Sequence, residues 1–594
     1  MSAGTAPTIP TEFQQYNSYV EDPKWQRRFT AIWASCVGAA ILYSLPYLVR
    51  SIRNRRTWLW FQGVSEDFSA KGIYVPLQQA TPRRSIPAKK HLECIFGTIG
   101  SVTLWTPPFL ALNVGQIFVI LAYLAIVLVC IIVDAQLKDN PNRAGFLALA
   151  QLPVVFLFAT KNSLLSLLLG PGHGYEKLNY VHRWSGRFMF LGAVVHGSLW
   201  IRNHLEWNLT ILGEQKETSG IAALGVLCVI VLTSVRPARR VCYEIFFVVH
   251  VLGFVAFFIT ICYHTTYASP WIFPPLAFYG LDMLMRLFRY RIKDATVTAV
   301  DNQMTIIRIP DCDFGWEAGQ HICLRVFFSG RVFESHPLTI LSAPSRVSCI
   351  SSPGIILGAR VSGDWTRALN VFTANESAEN KTKCLEHEDK AGTTGADVPV
   401  QVMLDGPYGG CSIDLGQYES VLLFAGGSGA TFTIGLLDDI VGKCVKLGRP
   451  RGERTKRIEF VWCIRSFGSI DWFAPMLMDI TNVAGRPGST LDVHVSIYVT
   501  CLCNPDAVPS IPNSDVIFER PGFGKVLGDL VTPPPPDDEE EKKLSWVGLG
   551  GGVGVCVCGP ESLIREASNA VARLGMTRSG ELGGVGLHTE LFSM

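Results

Sequence analysis

Charge is what this chain has least of. Only 17% of its 594 residues are Asp, Glu, Lys or Arg, against roughly 25% in an ordinary soluble domain. The 52 basic and 50 acidic residues nearly cancel, leaving +2, so the basic surplus expected of a nucleic-acid binder is missing. A mean hydropathy of +0.27 excludes a disordered chain. Zinc-knuckle spacing is missing as well. The 17 cysteines include no CxxC pair, and Cys501/Cys503 and Cys556/Cys558 stand one residue apart, which suits buried thiols in a reducing compartment. Residues 1–28 are polar and the next apolar run is longer than an h-region, so no cleaved signal is expected.

What the chain does have is long apolar runs. Seven approach the roughly 20 residues that cross a bilayer: 29–49, 110–133, 144–169, 178–201, 220–235, 242–265 and 271–288. Arg and Lys crowd three of the loops. Arg50, Arg53, Arg55, Arg56, Arg83, Arg84, Lys89 and Lys90 follow the first run; Arg236, Arg239 and Arg240 follow the fifth; Arg286, Arg289, Arg291 and Lys293 follow the seventh. Positive loops face the cytosol, which puts the N-terminus outside and everything beyond Arg291 inside. All 17 cysteines then fall in spans or on the cytosolic side, and the sequon Asn208-Leu209-Thr210 falls outside, a glycosylation candidate.

Two of the runs carry paired histidines: His182 and His196 in the fourth, His250 and His264 in the sixth. Each pair is 14 residues apart, almost four turns, so both members lie on one helix face about 21 Å apart along the axis. Both spans run in the same direction, so His182 matches His250 in depth near the cytosol, and His196 matches His264 near the outer surface. Histidine inside a membrane is costly and marks function. Four in this arrangement make two facing bis-imidazole sites, the ligand set of two b-type haems. Arg183 and Arg187, within a turn and a half of His182, are candidates for the haem propionates or for snorkelling to the interface. Lys161 is read as snorkelling, and His173 and His204 as ordinary residues near loop ends.

From Asp294 the pattern changes to short alternating strands and Gly/Pro turns, a small β-barrel, interrupted by a polar stretch at 375–397 expected to be mobile. A second change follows. The buried strand 421–425 runs through Gly426-Gly427-Ser428-Gly429 into an apolar helix at 430–440. A strand, a glycine turn and a helix start make a phosphate cradle. Strands are expected at 458–464, 491–499 and 553–558, the last leading into a helix to Leu574, and the alternation implies a doubly wound parallel sheet. Pro533–Pro536 and the acidic run after it read as a linker.

In order, the paired histidines, His336-Pro337-Leu338-Thr339, Gly363-Asp364-Trp365-Thr366-Arg367, Gly406-Pro407-Tyr408-Gly409, Gly426–Thr431, Cys558-Gly559-Pro560-Glu561 and a terminal Glu590/Phe592 resemble the fungal ferric-chelate reductase family, relatives of the NADPH oxidases. The resemblance implies a seven-span bis-haem membrane domain (29–291) after an outer tail (1–28), then a ferredoxin–NADP reductase-like FAD barrel (292–412) and an α/β NAD(P)-binding domain (413–594) with a linker at 530–549. His336, Pro337, Leu338 and Thr339 would hold the flavin, with Leu338 standing where the family usually has an aromatic. Val361, Ser362, Gly363, Trp365 and Thr366 would surround the FAD pyrophosphate, and Phe592 would cover the flavin. Gly426, Gly427, Gly429 and Thr431 would take the phosphates of NADPH, Arg465 its 2′-phosphate, and Cys558, Gly559 and Pro560 would sit beside the nicotinamide. The implied activity passes electrons from NADPH through FAD and two haems b to outer Fe(III)-chelates, with Cu(II) as a second acceptor. The expected setting is the plasma membrane, with an internal membrane such as the vacuole as the alternative. No nucleic acid partner is expected, and whether an iron permease or an oxidase works beside the protein is not written in the sequence. Seven spans favour the reductase over an NADPH oxidase making superoxide, and the nucleotide motifs disfavour a seven-helix receptor or proton channel.

Overall fold

The computed structural model describes residues 16–53, 61–66, 100–162, 164–386, 397–502, 511–532 and 550–592. Arg55, Arg56, Arg83, Arg84, Lys89, Lys90, the proline and acidic linker after residue 532, and part of the 375–397 stretch lie outside these residues. The chain divides into two compact units, one drawn from Met1–Leu48, Phe118–Leu169 and Tyr175–Met283, the other from Val49–Ile117, Gly170–Gly174 and Leu284–Met594.

The first unit is helical. Among the described residues four helices are long and apolar enough to cross a membrane: Ser18–Val49, Val114–Ile132, Gln215–Thr233 and Tyr243–His264. Their outward Phe118, Leu121, Phe247 and Leu252 are exposed, as on a helix that is apolar all round and meets lipid. Tyr175–Glu206 and Ser269–Arg289 are helices where spans were expected, but Arg183, Arg187 and Arg202 make the former more polar. The expected continuous span at 144–169 is instead three pieces, Asn142–Ala150, Leu152–Leu157 and Leu164–Leu169. Pro153 opens the second piece and supplies no N–H to the ladder. The Asn162 N–H donates to Asp282 Oδ1 at 2.7 Å instead of to a helical carbonyl.

The second unit contains two six-stranded sheets. In the first, β1 (Arg291–Ala299), β2 (Met304–Ile309), β3 (Gln320–Val326), β4 (His336–Thr339), β5 (Ile355–Arg360) and β6 (Val398–Gly409) lie in the order β4-β3-β6-β1-β2-β5, all antiparallel. A bridge between Ile340 and Leu357 joins the two edges, so the sheet curls into a near-barrel around Val297, Ile307, Leu324, Leu357 and Leu404. The stretch after Trp365 is more ordered than its polarity suggested. Asp364–Glu386 is one helix, because Ala, Glu and Lys are good helix formers and no Gly or Pro interrupts them.

The second sheet comprises β7 (Ser420–Gly426), β8 (Arg457–Ser466), β9 (Asp492–Leu502), β10 (Ser514–Ile517), β11 (Val553–Gly559) and β12 (Val585–Leu591), ordered β10-β9-β8-β7-β11-β12 and parallel throughout. The chain winds outward from β7 first one way and then the other. The switch point therefore falls between β7 and β11, where open α/β sheets bind ligands at the carboxyl ends of their strands. The last helix, Glu561–Leu582, runs two turns past its expected end and feeds the unforeseen β12.

Candidate functional site

The four membrane histidines meet as two equal pairs. The His182 and His250 ring centroids are 6.1 Å apart with planes at 68°, and those of His196 and His264 are 6.1 Å apart at 69°. Two imidazole nitrogens each about 2 Å from a shared metal place their rings at roughly this separation. Every Nδ1 has a partner: His182 donates to the Val155 carbonyl at 2.8 Å, His196 to Pro141 at 3.0 Å and His264 to Lys216 at 2.7 Å. His250 Nδ1 lies 3.1 Å from Ser234 Oγ, whose own proton goes to the Ile230 carbonyl at 2.5 Å. With Nδ1 protonated and tied down, Nε2 keeps the lone pair that a metal needs. Neighbouring helices make room for the rings. A Cβ on Gly145 would stand 3.0 Å from the His196 ring, and one on Gly220 would stand 2.7 Å from that of His264. The His196 and His264 pair borders a cavity also lined by Tyr19, Leu149, Gly197 and Phe257.

Arg183 lies within electrostatic reach of Arg187, Arg236 and Arg239, and the Arg187 guanidinium sits 4.6 Å over the Trp184 ring. Arg239 Nε is buried without a hydrogen-bond partner among the described residues. Such a cluster of like charges suits carboxylates, and its two members from beyond the fifth run, Arg236 and Arg239, carry only an orientation signal in the sequence. These observations fit haem at both pairs. His204 bonds the Trp200 carbonyl at 3.0 Å, and Lys161 lies 5.6 Å from the Tyr175 ring. Asn208 follows the helix Tyr175–Glu206 with φ +52° and is exposed.

In the barrel, two of the sequence motifs come together. His336 on β4 stacks on Trp365 at 4.3 Å and 25°. Leu338 and Thr339 follow half-buried, and Pro337 is exposed. Val361, Ser362 and Gly363 form the turn into the helix Asp364–Glu386, where Thr366 Oγ1 accepts from the Ser362 and Gly363 N–H groups at 3.0 Å each. Trp365 is buried with Nε1 unpaired among the described residues. That orphaned donor at a helix start fits a phosphate-bearing ligand.

The glycine turn sits at the switch point. Gly427 has φ +57°, and its carbonyl accepts from Trp462 Nε1 at 2.9 Å. A Cβ on Gly429 would stand 2.6 Å from the Cys558 carbonyl, so only glycine lets the turn nest against the end of β11. Thr431 is buried and donates to the Ser428 carbonyl at 3.0 Å, so its hydroxyl braces the turn. Arg465 is exposed near the end of β8. Arg360, which the motifs did not single out, lies 3.6 Å from where a Gly427 Cβ would be and within electrostatic reach of Arg465. At the end of β11, Cys558 and Gly559 are buried and Pro560 exposed, and the Phe592 N–H donates to the Gly559 carbonyl at 3.0 Å. A further unforeseen cluster lies nearby. Cys411 Sγ is 3.6 Å from Cys556 Sγ, and His588 stacks on Phe432 and reaches Glu590 at 3.1 Å. Burial opposes ionisation of Cys411, yet the hydrogen bond to Cys556 and the His588 ring hold it below the usual thiol value. No short motif joins residues from three distant segments, so pattern reading passed over them.

The comparisons with known proteins follow the same division. Residues 144–261 match the ferric reductase like transmembrane component, 289–412 the FAD-binding domain and 418–510 the ferric reductase NAD binding domain. "Ferric reductase transmembrane component 3" of Saccharomyces cerevisiae is 26% identical over 373 residues, covering 60% of this chain and 46% of its own length. "Probable cell surface ferric reductase kap2" of Aspergillus oryzae is 28% identical, covering 61% and 47%. "Ferric reductase transmembrane component 1" of Schizosaccharomyces pombe is 28% identical, covering 54% and 59%. The chain spans about half the length of these relatives. A solved ferredoxin NADP+ reductase from Neisseria gonorrhoeae covers 50% of this chain and 98% of its own at 12% identity and TM-score 0.29. A helical membrane domain joined to FAD-binding and NAD-binding domains defines the class. Within it, two segments of the chain match ferric reductase models, and the relatives it resembles are ferric reductases by name.

Proposed function

We propose that the chain is a transmembrane ferric-chelate reductase that carries electrons from cytosolic NADPH through FAD and two haems b to Fe(III)-chelates on the outer side, with Cu(II) as a second acceptor. The observation that carries this reading is the pair of histidine sites with the same 6.1 Å separation. When bound, the flavin would accept a hydride's two electrons together and release them singly to the haems. The protein's own work is to bind and to aim. His182 and His250 would ligate the inner iron and His196 and His264 the outer one, with Arg183, Arg187 and Arg239 offering charge to propionates. His336 and Trp365 would brace the flavin, with Leu338, Thr339 and Phe592 around it. Gly426, Gly427 and Gly429 would admit the phosphates of NADPH, Arg465 and Arg360 would neutralise them, and Cys558, Gly559 and Pro560 would border the nicotinamide. The positive loops support the sheet unit in the cytosol and Asn208 outside, and the name of one relative, a probable cell surface ferric reductase, supports a plasma-membrane setting.

The test is NADPH-driven reduction of an Fe(III)-chelate by membranes containing the protein under strict anaerobiosis. Reduction without oxygen is expected. Loss of reduction, with superoxide appearing once oxygen is admitted, would make the chain an oxidase instead.

A further inference from the structure

The family match begins at residue 144, yet the carbonyl that accepts from His196 Nδ1, on Pro141, lies just before it. The next two residues are tied to the N-terminal helix. Arg143 is buried; its Nε donates to Asp22 Oδ1 at 2.5 Å and its Nη2 to the Tyr16 hydroxyl at 2.6 Å. Its Nη1 donates to the carbonyls of Val133 at 3.1 Å and Cys130 at 3.3 Å, and the Tyr16 hydroxyl also bonds the Asp22 carboxylate. Asn142 Nδ2 donates to Ser18 Oγ at 2.9 Å, while Asn142 Oδ1 accepts from Trp200 Nε1 at 3.1 Å, one turn beyond His196. Gln26 Nε2 donates to the Phe146 carbonyl at 2.6 Å. The whole of 141–143 is thus held between the N-terminal helix and the helix that bears His196.

A buried ion pair is a poor device for cohesion alone, because desolvation offsets much of its attraction; its best-attested use is to fix a register. Here the register being fixed is that of a carbonyl which sets the tautomer and rotation of one haem ligand. The inner ligands are set from outside this network, His182 by Val155 and His250 by Ser234. Second-shell acceptors on a ligating imidazole raise its basicity toward the metal, and axial-ligand hydrogen bonding tunes haem potential.

We infer that Asp22, with Tyr16, is a positioning residue for the outer haem: acting through Arg143 and Pro141, it fixes the hydrogen bond of His196 and holds the outer potential down while leaving the inner one alone. The inference rests on the bis-histidine reading above.

The experiment is a potentiometric titration of the full-length protein followed in the haem absorption bands, with low-spin ferric signals read by electron paramagnetic resonance. Wild type should titrate in two steps. In Asp22→Asn one step should move to higher potential and one low-spin signal should shift, the other step and signal staying in place, and Asp22→Glu should restore both. Unchanged steps in Asp22→Asn, or both steps moving together, would overturn the inference. If Asp22→Asn does not accumulate, Tyr16→Phe removes one hydroxyl and should give a smaller shift of the same single step; no shift there would also overturn it. A wild type that binds no haem would instead sink the bis-histidine reading itself.

Discussion

The two units hold their proposed ligands by opposite means. In the helical unit four side chains would bind; the backbone aims three of them, through carbonyls at Val155, Pro141 and Lys216, and the Ser234 hydroxyl meets the fourth. In the sheet unit the backbone of the glycine turn is the cradle, and side chains such as Thr431 and Trp462 brace it from behind. A side-chain site suffers more from loss of a ligand than from a change in its surroundings. A backbone site tolerates many substitutions but not an added methyl group.

The largest expected effect comes from removing a side chain that binds. His182→Ala should lower anaerobic Fe(III)-chelate reduction by more than the roughly 100-fold that outer-shell changes cost at metal sites, while NADPH-dependent flavin reduction persists; stopped-flow absorbance separates the two. Next is Trp365→Ala, which empties a buried site and unstacks His336. It should destabilise the barrel by about 3–5 kcal/mol and lower flavin content with haem content unchanged, seen in thermal unfolding followed by flavin fluorescence. Gly429→Ala then tests the cradle directly. Its methyl group would meet the Cys558 carbonyl, and overpacking of about 1–3 kcal/mol should raise the KM for NADPH while the flavin stays bound. Arg465→Ser should reduce the preference for NADPH over NADH by about tenfold, close to 1.4 kcal/mol, in paired kinetic assays.

The smallest effect concerns pH. Hydrogen bonding to Glu459, aided by Asp515 and opposed by burial, raises the pKa of His494. A raised imidazole favours the folded state below its ordinary value of about 6.5, and that contribution fades as pH climbs through the raised value. In denaturant unfolding, His494→Gln should remove under about 1 kcal/mol of stability near pH 6 and none at pH 9.

How legible each region is in the sequence follows from the same contrast. The histidines are legible because a helix is periodic: 14 residues repeated on two spans specify two depths before any contact is known. The break after Leu157 is legible only in part: Thr160, Lys161, Asn162 and Ser163 are polar, but no local pattern shows that Asp282, 120 positions away, captures the Asn162 N–H. The strand, turn and helix at Gly426–Gly429 are legible as a local cradle, whereas Arg360 comes from the barrel and the Cys411, Cys556 and His588 cluster from three segments. The helix Asp364–Glu386 is missed for another reason: its polarity reads as solvent exposure, while its lack of Gly and Pro, the stronger cue, goes unweighed. The brace on His196 depends on residues some 120 positions apart, a distance at which no periodicity speaks.

The central claim is that two histidine pairs hold two haems, and counting haem per chain tests it most directly. The purified protein should contain two haems per chain, and His196→Ala and His182→Ala should each retain one, with different residual potentials. A single haem in the wild type, or a full pair surviving either substitution, would contradict the account.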